Sequence, residues 1–351
     1  MASDSTLKTS VALIAAVAIA AAAYQASAVF APLALAFFII ALVWPMQHWL
    51  RGRMPAMIAL LITMTVAVAV MLGLASLVVW GFGRVGRSLI ADSSRYQAIY
   101  DAVVAWLDGH GISVAGLWAQ HFNVDWMLRS AQQVTGRVNT TLSFWLITLL
   151  YVIMGLIEVD DLHGRVQAFL PPETAQVLLS ASADTAHKFR RYMEVRTSMS
   201  LLTGLLVGAF AFAVGLQFAV EWGVIAFALN YVPVIGPFIA TLFPTLLAIA
   251  QFGTWQGALF VFICLNIIQS VVGSYVEPRV SGHALAISPT VMLFAVFFWT
   301  FLWGLFGAFI GVPIAIAALT FCAHYPSTRR IADLLGGAAP KDPARLRREG
   351  G

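Results

Sequence analysis

Charged side chains are scarce in this sequence: 16 Asp and Glu with 20 Lys and Arg among 351 residues, or 10%. Soluble domains carry about 25%. A larger core does not excuse the shortfall, because a soluble surface still has to be wetted. The composition excludes a soluble enzyme and points to a bilayer, which removes that requirement. Cysteine is nearly missing as well. Cys264 and Cys322 both lie in apolar runs, with no His or Cys at ligand spacing, which excludes a disulfide framework or a zinc site. Also missing are a phosphate-binding loop, a Gly-x-Ser-x-Gly elbow, a His-Glu-x-x-His pair and a dinucleotide-binding glycine pattern. Nothing supports ATP hydrolysis or covalent catalysis, and no cofactor or metal is expected. No unbroken apolar run has a carboxylate at its middle, where proton-coupled transporters commonly place one.

What is present is length in apolar runs. A membrane helix needs about 20 apolar residues. Runs at 10–27, 29–46, 55–82, 141–158, 196–216 and 256–276 meet or approach this, and two longer runs at 219–250 and 286–323 are interrupted. The expected fold is an all-α integral membrane protein with about eight membrane segments, two of them broken, by the same length rule. Lys8, the run Val11–Ala23 and Ala26-Ser27-Ala28 resemble a secretory signal. The next run, Val29–Trp44, follows almost without a break, so an uncleaved helical hairpin is the preferred reading.

Between the runs lie two polar stretches. Over residues 83–140, Arg84, Arg87, Arg95, Arg129 and Arg137 alternate with Asp92, Asp101, Asp108 and Asp125, and Leu89, Ile99, Val103, Trp106 and Leu107 recur at helical spacing. This reads as a small extracytoplasmic helical module. Residues 141–195 read as a membrane helix followed by a cytoplasmic amphipathic helix, with Pro172 and Glu173 suited to its first turn. Residues 1–82 form the N-terminal membrane helices, 196–323 a core with the two broken segments, and 324–351 a basic tail. Lys8, Arg51, Arg53, Lys188, Arg190, Arg191, Arg329 and Arg330 flank apolar runs and mark the cytoplasmic side. Both termini are therefore expected inside an inner (cytoplasmic) membrane. The net charge of +4 is an orientation signal of this kind, not a nucleic-acid footprint.

The broken runs carry the functional expectation. Pro233, Gly236 and Pro237 open the first, which also holds Asn230 and Tyr231; Gly304, Gly307, Gly311 and Pro313 mark the second. Bare backbone in lipid costs several kcal/mol per unsatisfied group, roughly, so such breaks persist only where protein or a watery cavity covers them. Interrupted helices in corresponding places point to a transport site. Each follows a long helix, a layout that suggests a two-fold repeat with a substrate cavity between the broken segments. Either kinked spans or re-entrant hairpins satisfy the lengths: an arm of about 15 residues reaches about 22 Å, short of the bilayer core. Hairpins are preferred.

Further candidates each carry two readings. Asn230 and Tyr231 end a half-helix and either offer groups to an ion or solute or cap the opened backbone. Asn266, Gln269 and Ser270 share a helix face and either line a polar path or bond a neighbouring helix. Glu277 and Arg279 are either functional or interfacial, pairing with each other or with headgroups. Glu221 is a proton carrier only if buried, and an interfacial place is expected.

The run from Tyr192 to Gly204, the Pro-x-x-Gly-Pro segment within Asn230–Pro244, Glu277-Pro278-Arg279 with Gly282 and Pro289, and the glycine-rich stretch Gly304–Pro313 together resemble the autoinducer-2 exporter family, also called PerM-like permeases. The resemblance spans most of the chain and is strongest from about residue 185. It implies a multi-spanning bacterial permease for a small polar solute such as autoinducer-2, and a homo-oligomer. It also implies sodium–proton exchange as an alternative, with Na+ or H+ as the coupling ion. A non-transporting membrane scaffold, docking through the outer module, is the third reading.

Overall fold

A computed structural model describes residues 2–91, 109, 138–281 and 287–336. Among them every regular element is helical, apart from one isolated bridge between Ile287 and Gly336. The helices are α1 (Ala2–Gln25), α2 (Ser27–Arg51), α3 (Ala56–Ala91), α4 (Val138–Phe169), α5 (Pro172–Ala213), α6 (Ala219–Leu229), α7 (Ile235–Phe252), α8 (Trp255–Ser270), α9 (Glu277–Ser281), α10 (Pro289–His324) and α11 (Arg329–Leu335). A π-helical segment, Val271–Val276, joins α8 to α9. Six stretches are long and apolar enough to cross a membrane. Their outer faces are apolar: Leu61, Leu72, Val79, Phe212, Phe301 and Leu305 all stand exposed, the pattern of a lipid-facing surface.

Most of the expected outer module, between 92 and 137, lies outside the described residues, as does the tail beyond 336; its first residues, 83–91, continue α3. α5 begins on Pro172 with Glu173 in its first turn. Proline without an N–H fits there, where that donor has no intrahelical partner.

The chain divides into two compact units. One comprises residues 68–143 and 196–280. Its core gathers Val207, Trp222, Ile225, Leu247, Val261 and Leu265. Here the broken run 219–250 is a helical hairpin. Gln251, near the end of α7, accepts from the Gln217 amide (2.8 Å) and donates to the Gly215 carbonyl (2.7 Å), so the chain returns to the level at which it entered α6. At the tip, any Cβ on Gly236 would strike the Leu229 carbonyl. Gly204 and Gly208 on α5 let Gly223 of α6 approach closely: a Cβ on Gly223 would sit 2.8 Å from the Gly204 oxygen. Small residues at such spacing are the usual device for close helix packing in membranes. Replacing Gln251 by Ala is expected to untie the hairpin base and raise hydrogen exchange at the Gln217 amide about tenfold or more, read by mass spectrometry.

The other unit comprises residues 1–67, 144–195 and 281–351. Ala36, Leu60, Val152 and Leu156 form its buried centre, with Ile40, Trp44 and Met64 around them. α10 is also a hairpin. Its backbone leaves helical geometry at Gly304 (φ 63°, ψ −141°). A Cβ on Gly311 would lie 2.8 Å from the Ala295 oxygen, and one on Gly307 would strike the Trp299 carbonyl. A straight helix would separate Ala295 from Gly311 by about 24 Å. The chain therefore reverses at Gly304, giving arms of 289–303 and 305–324. Sequence reading spreads this break from Gly304 to Pro313. The reversal is confined to Gly304, and Pro313 sits inside the continuous second arm.

Candidate functional site

The polar groups of the first unit collect where the tip of the α6–α7 hairpin meets α5. Five residues, Asn230 to Val234, separate the two helices. Their backbone leaves the α-helix for turn hydrogen bonds, such as Val232 N–H to the Leu229 carbonyl at 2.9 Å, and Val234 holds φ 68°, ψ −57°, an uncommon state for a β-branched residue. Strain of this kind clusters at functional sites. Asn230, 6% exposed, donates from Nδ2 to the Ser200 hydroxyl at 3.3 Å. The Tyr231 hydroxyl donates to Thr197 Oγ1 at 3.1 Å. Pro233 lies in the turn, and Gly236 and Pro237 open α7. Asn230 thus spends its amide on a neighbouring helix, not on its own cap.

Arg196 stands one residue before Thr197 and one turn before Ser200. It is 6% exposed, and its Nη1 donates to both oxygens of Glu277, at 3.1 and 3.2 Å. Glu277 therefore pairs with Arg196, and Arg279 instead lays its guanidinium over the Tyr275 ring at 3.6 Å. The π-helical segment ends immediately before Glu277; such segments often mark functional sites. Among the described residues of this unit, three side-chain atoms are buried without a hydrogen-bond partner: Arg196 Nε, Thr203 Oγ1 and Gln269 Nε2. Asn266 does not reach another helix, since its amide donates to the Phe262 carbonyl of its own turn at 2.8 Å. Ser270 is exposed.

Glu221 is buried within the protein. It lies in the first turn of α6 and bonds Arg84 Nε at 3.0 Å. A carboxylate at a helix N-terminus is stabilised by the free amides there.

In the second unit the tip at Gly304 is held by aromatic side chains. Trp303 donates to the Ala23 carbonyl at 3.0 Å, and Phe306 stacks on Phe144 with centroids 3.9 Å apart. Gly307 and Gly311 serve the contact between the arms. Elsewhere in this unit Arg190 Nη1 donates to the Ala41 carbonyl at 3.0 Å. Pro45 lies within α2, four residues after Ala41, and has no N–H to offer it. Arg190 supplies the donor that the proline withholds. Lys188 bonds Thr320 (3.2 Å) and Asp184 (3.1 Å).

Sequence reasoning marked Asn230, Tyr231, Pro233, Gly236, Pro237 and Glu277, and the structure places all of these but Glu277 in or beside one turn. It passed over Arg196, Thr197, Ser200 and Thr203. Their spacing of one, four and seven residues on an apolar helix was the available signal. Among the described residues no group of three or more His, Cys, Asp or Glu is arranged to hold a metal.

A family profile described as AI-2E family transporter matches residues 13–327. The AI-2 transport protein TqsA of Escherichia coli K12 is 29% identical over 295 residues, covering 83% of this chain and 84% of that one. The putative transport protein YrrI of Bacillus subtilis 168 is 23% identical over 321 residues, 85% of this chain and 86% of its own length. The putative transport protein YhhT of E. coli K12 is 29% identical over 200 residues, 56% and 55% of the two chains.

Proposed function

The chain belongs to the AI-2E transporter family, a multi-pass membrane permease by that membership, and from this premise we propose that it carries a small polar solute past the tip of the α6–α7 hairpin. The observation that carries the reading is a non-helical turn at Asn230–Val234 bonded to polar groups of α5: Asn230 with the buried Ser200, Tyr231 with the exposed Thr197, and Arg196 with Glu277 beside them. Unwound backbone at membrane depth is tolerated where it lines a cavity, and broken helices supply binding groups in secondary transporters.

With both termini in the cytoplasm, α6–α7 re-enters the membrane from the extracytoplasmic face without crossing it. An arm of 11 residues reaches about 16 Å, roughly half the hydrocarbon core. The α10 hairpin, within its own unit, reverses at Gly304, and its first arm, 289–303, reaches about 22 Å, short of the hydrocarbon core. The relative TqsA is named for AI-2, which makes AI-2 the first solute to test.

Sodium–proton exchange has less physical support. The carboxylates it would use, Glu221 and Glu277, are each already ion-paired with an arginine, Arg84 and Arg196. The test is flux from proteoliposomes. Wild type is expected to accelerate AI-2 efflux over empty vesicles. The variant Asn230→Ala is expected to lower the rate about tenfold or more, as truncation of a positioning group does, while folding to the same helical content. Wild-type rates equal to those of empty vesicles across a panel of small solutes would reject the reading. A pH gradient collapsed by sodium would favour exchange instead.

A further inference from the structure

We infer that Arg196 is an oxyanion-binding group and that the carried solute presents an anionic, acceptor-rich oxygen group, received on the guanidinium edge that Glu277 leaves open. The inference rests on the permease reading and deepens it. Glu277 places both oxygens on one nitrogen, Nη1. A carboxylate used for structure alone would more usually take two parallel donors, the bidentate geometry that makes arginine the residue for such pairs. Here Nε is buried with no partner. It belongs to a side chain 7% exposed. A buried donor on a charged group is costly to leave unmatched, and an orphan of this kind calls for an explanation, a missing ligand among them.

The other orphans agree in kind. The hairpin base at Gly215 and Gln251 joins the end of α5 to the start of α8, so these two helices run in opposite directions. Thr203 lies seven residues after Arg196, and Gln269 eight before Glu277, so both sit on the hairpin-base side of the ion pair. Gln269 Nε2 and Arg196 Nε can only donate, and a threonine hydroxyl does so readily. A sodium or calcium site needs the opposite, a shell of oxygen acceptors. The unmatched donor at Arg196 Nε asks for an acceptor-rich anion.

Glu277 then has a second role. It neutralises Arg196 while the site is empty and repels an arriving anion, so binding stays weak enough to reverse. The test uses the full-length protein in nanodiscs of phosphatidylcholine, which supplies no net anionic headgroup. Inorganic phosphate and acetate are titrated against chloride at matched ionic strength, and the thermal midpoint is read at each concentration.

Wild type is expected to show a saturable rise with phosphate or acetate. Glu277→Gln, which keeps the side-chain shape and removes the competing charge, is expected to bind the same anion about tenfold more tightly. Arg196→Lys keeps the charge and the ion pair but has no Nε edge, and is expected to lose the response. A response retained in Arg196→Lys overturns the inference. So does a Glu277→Gln variant no more sensitive than wild type. A response that appears only when phosphatidylglycerol replaces part of the phosphatidylcholine assigns the site to a lipid headgroup and overturns the solute. Continued efflux of an uncharged solute with no anion response also overturns it, while leaving the permease reading in place.

Discussion

Gly236→Ala and Gly307→Ala are each expected to abolish transport and to lower the thermal midpoint sharply, although each adds a single methyl group. At both positions that methyl would collide with a backbone carbonyl of the opposing arm, Leu229 in one case and Trp299 in the other. Overpacking a well-filled site costs about 1–3 kcal/mol when side chains can shift. A carbonyl locked in a helix cannot shift without moving the whole arm, so the loss should exceed that range. Gly73→Ala is the control. It lies in α3 with nothing within 4 Å of a new Cβ, and an interior helical Gly→Ala change gains about 1 kcal/mol. Gly304→Ala should fall between them. Its surroundings are open, but φ 63° with ψ −141° is a region reserved for glycine, and holding another residue there costs about 1–3 kcal/mol. Unfolding in detergent, followed by circular dichroism, reads all four. Equal midpoints for Gly236→Ala, Gly307→Ala and Gly73→Ala would refute the hairpin packing.

The Arg196–Glu277 pair carries the second large effect. Arg196 is buried and Glu277 about three-quarters so. Removing one partner of a buried pair costs about 3–5 kcal/mol, because the other is left charged and unmatched, whereas replacing both can be nearly neutral. Arg196→Met should therefore destabilise less in a Glu277→Leu background than in the wild type. The coupling in a double-mutant cycle should reach about 2 kcal/mol or more. Additive losses would mean that the two side chains do not depend on one another. Transport is expected to be lost in the double variant even where stability returns, which separates a role in solute handling from a role in folding.

Much of the architecture can be read from the linear chain, because apolar runs of bilayer length and the prolines that interrupt them are local signals. Pro233, Gly236 and Pro237 located the first turn directly. The second was harder, since glycine serves two ends with one letter. Gly304 supplies a conformation that other residues avoid, whereas Gly307 and Gly311 supply space for a neighbouring backbone. Only the fold distinguishes them. Pro313 looked like a break and lies within a continuous helical arm. The ion pair was illegible for a different reason. Arg196 sits at the start of an apolar run, where an arginine ordinarily signals orientation, and its partner lies 81 residues away. Asn266 shows another difficulty: an amide in an apolar helix suggests an outside partner, but here it is satisfied by the carbonyl one turn back.

The π-helical segment Val271–Val276 makes chain length itself part of the site. A π-turn holds about one residue more than an α-turn, so everything after it is rotated by roughly 100° relative to an uninterrupted α-helix. Glu277 meets Arg196 on that shifted phase. The acid is thus addressed by counting as much as by chemistry. A gap of one position anywhere in that hexapeptide would turn the same glutamate towards another face with every side chain at the site unchanged. Relatives aligned across this region should be compared first for spacing and only then for identity.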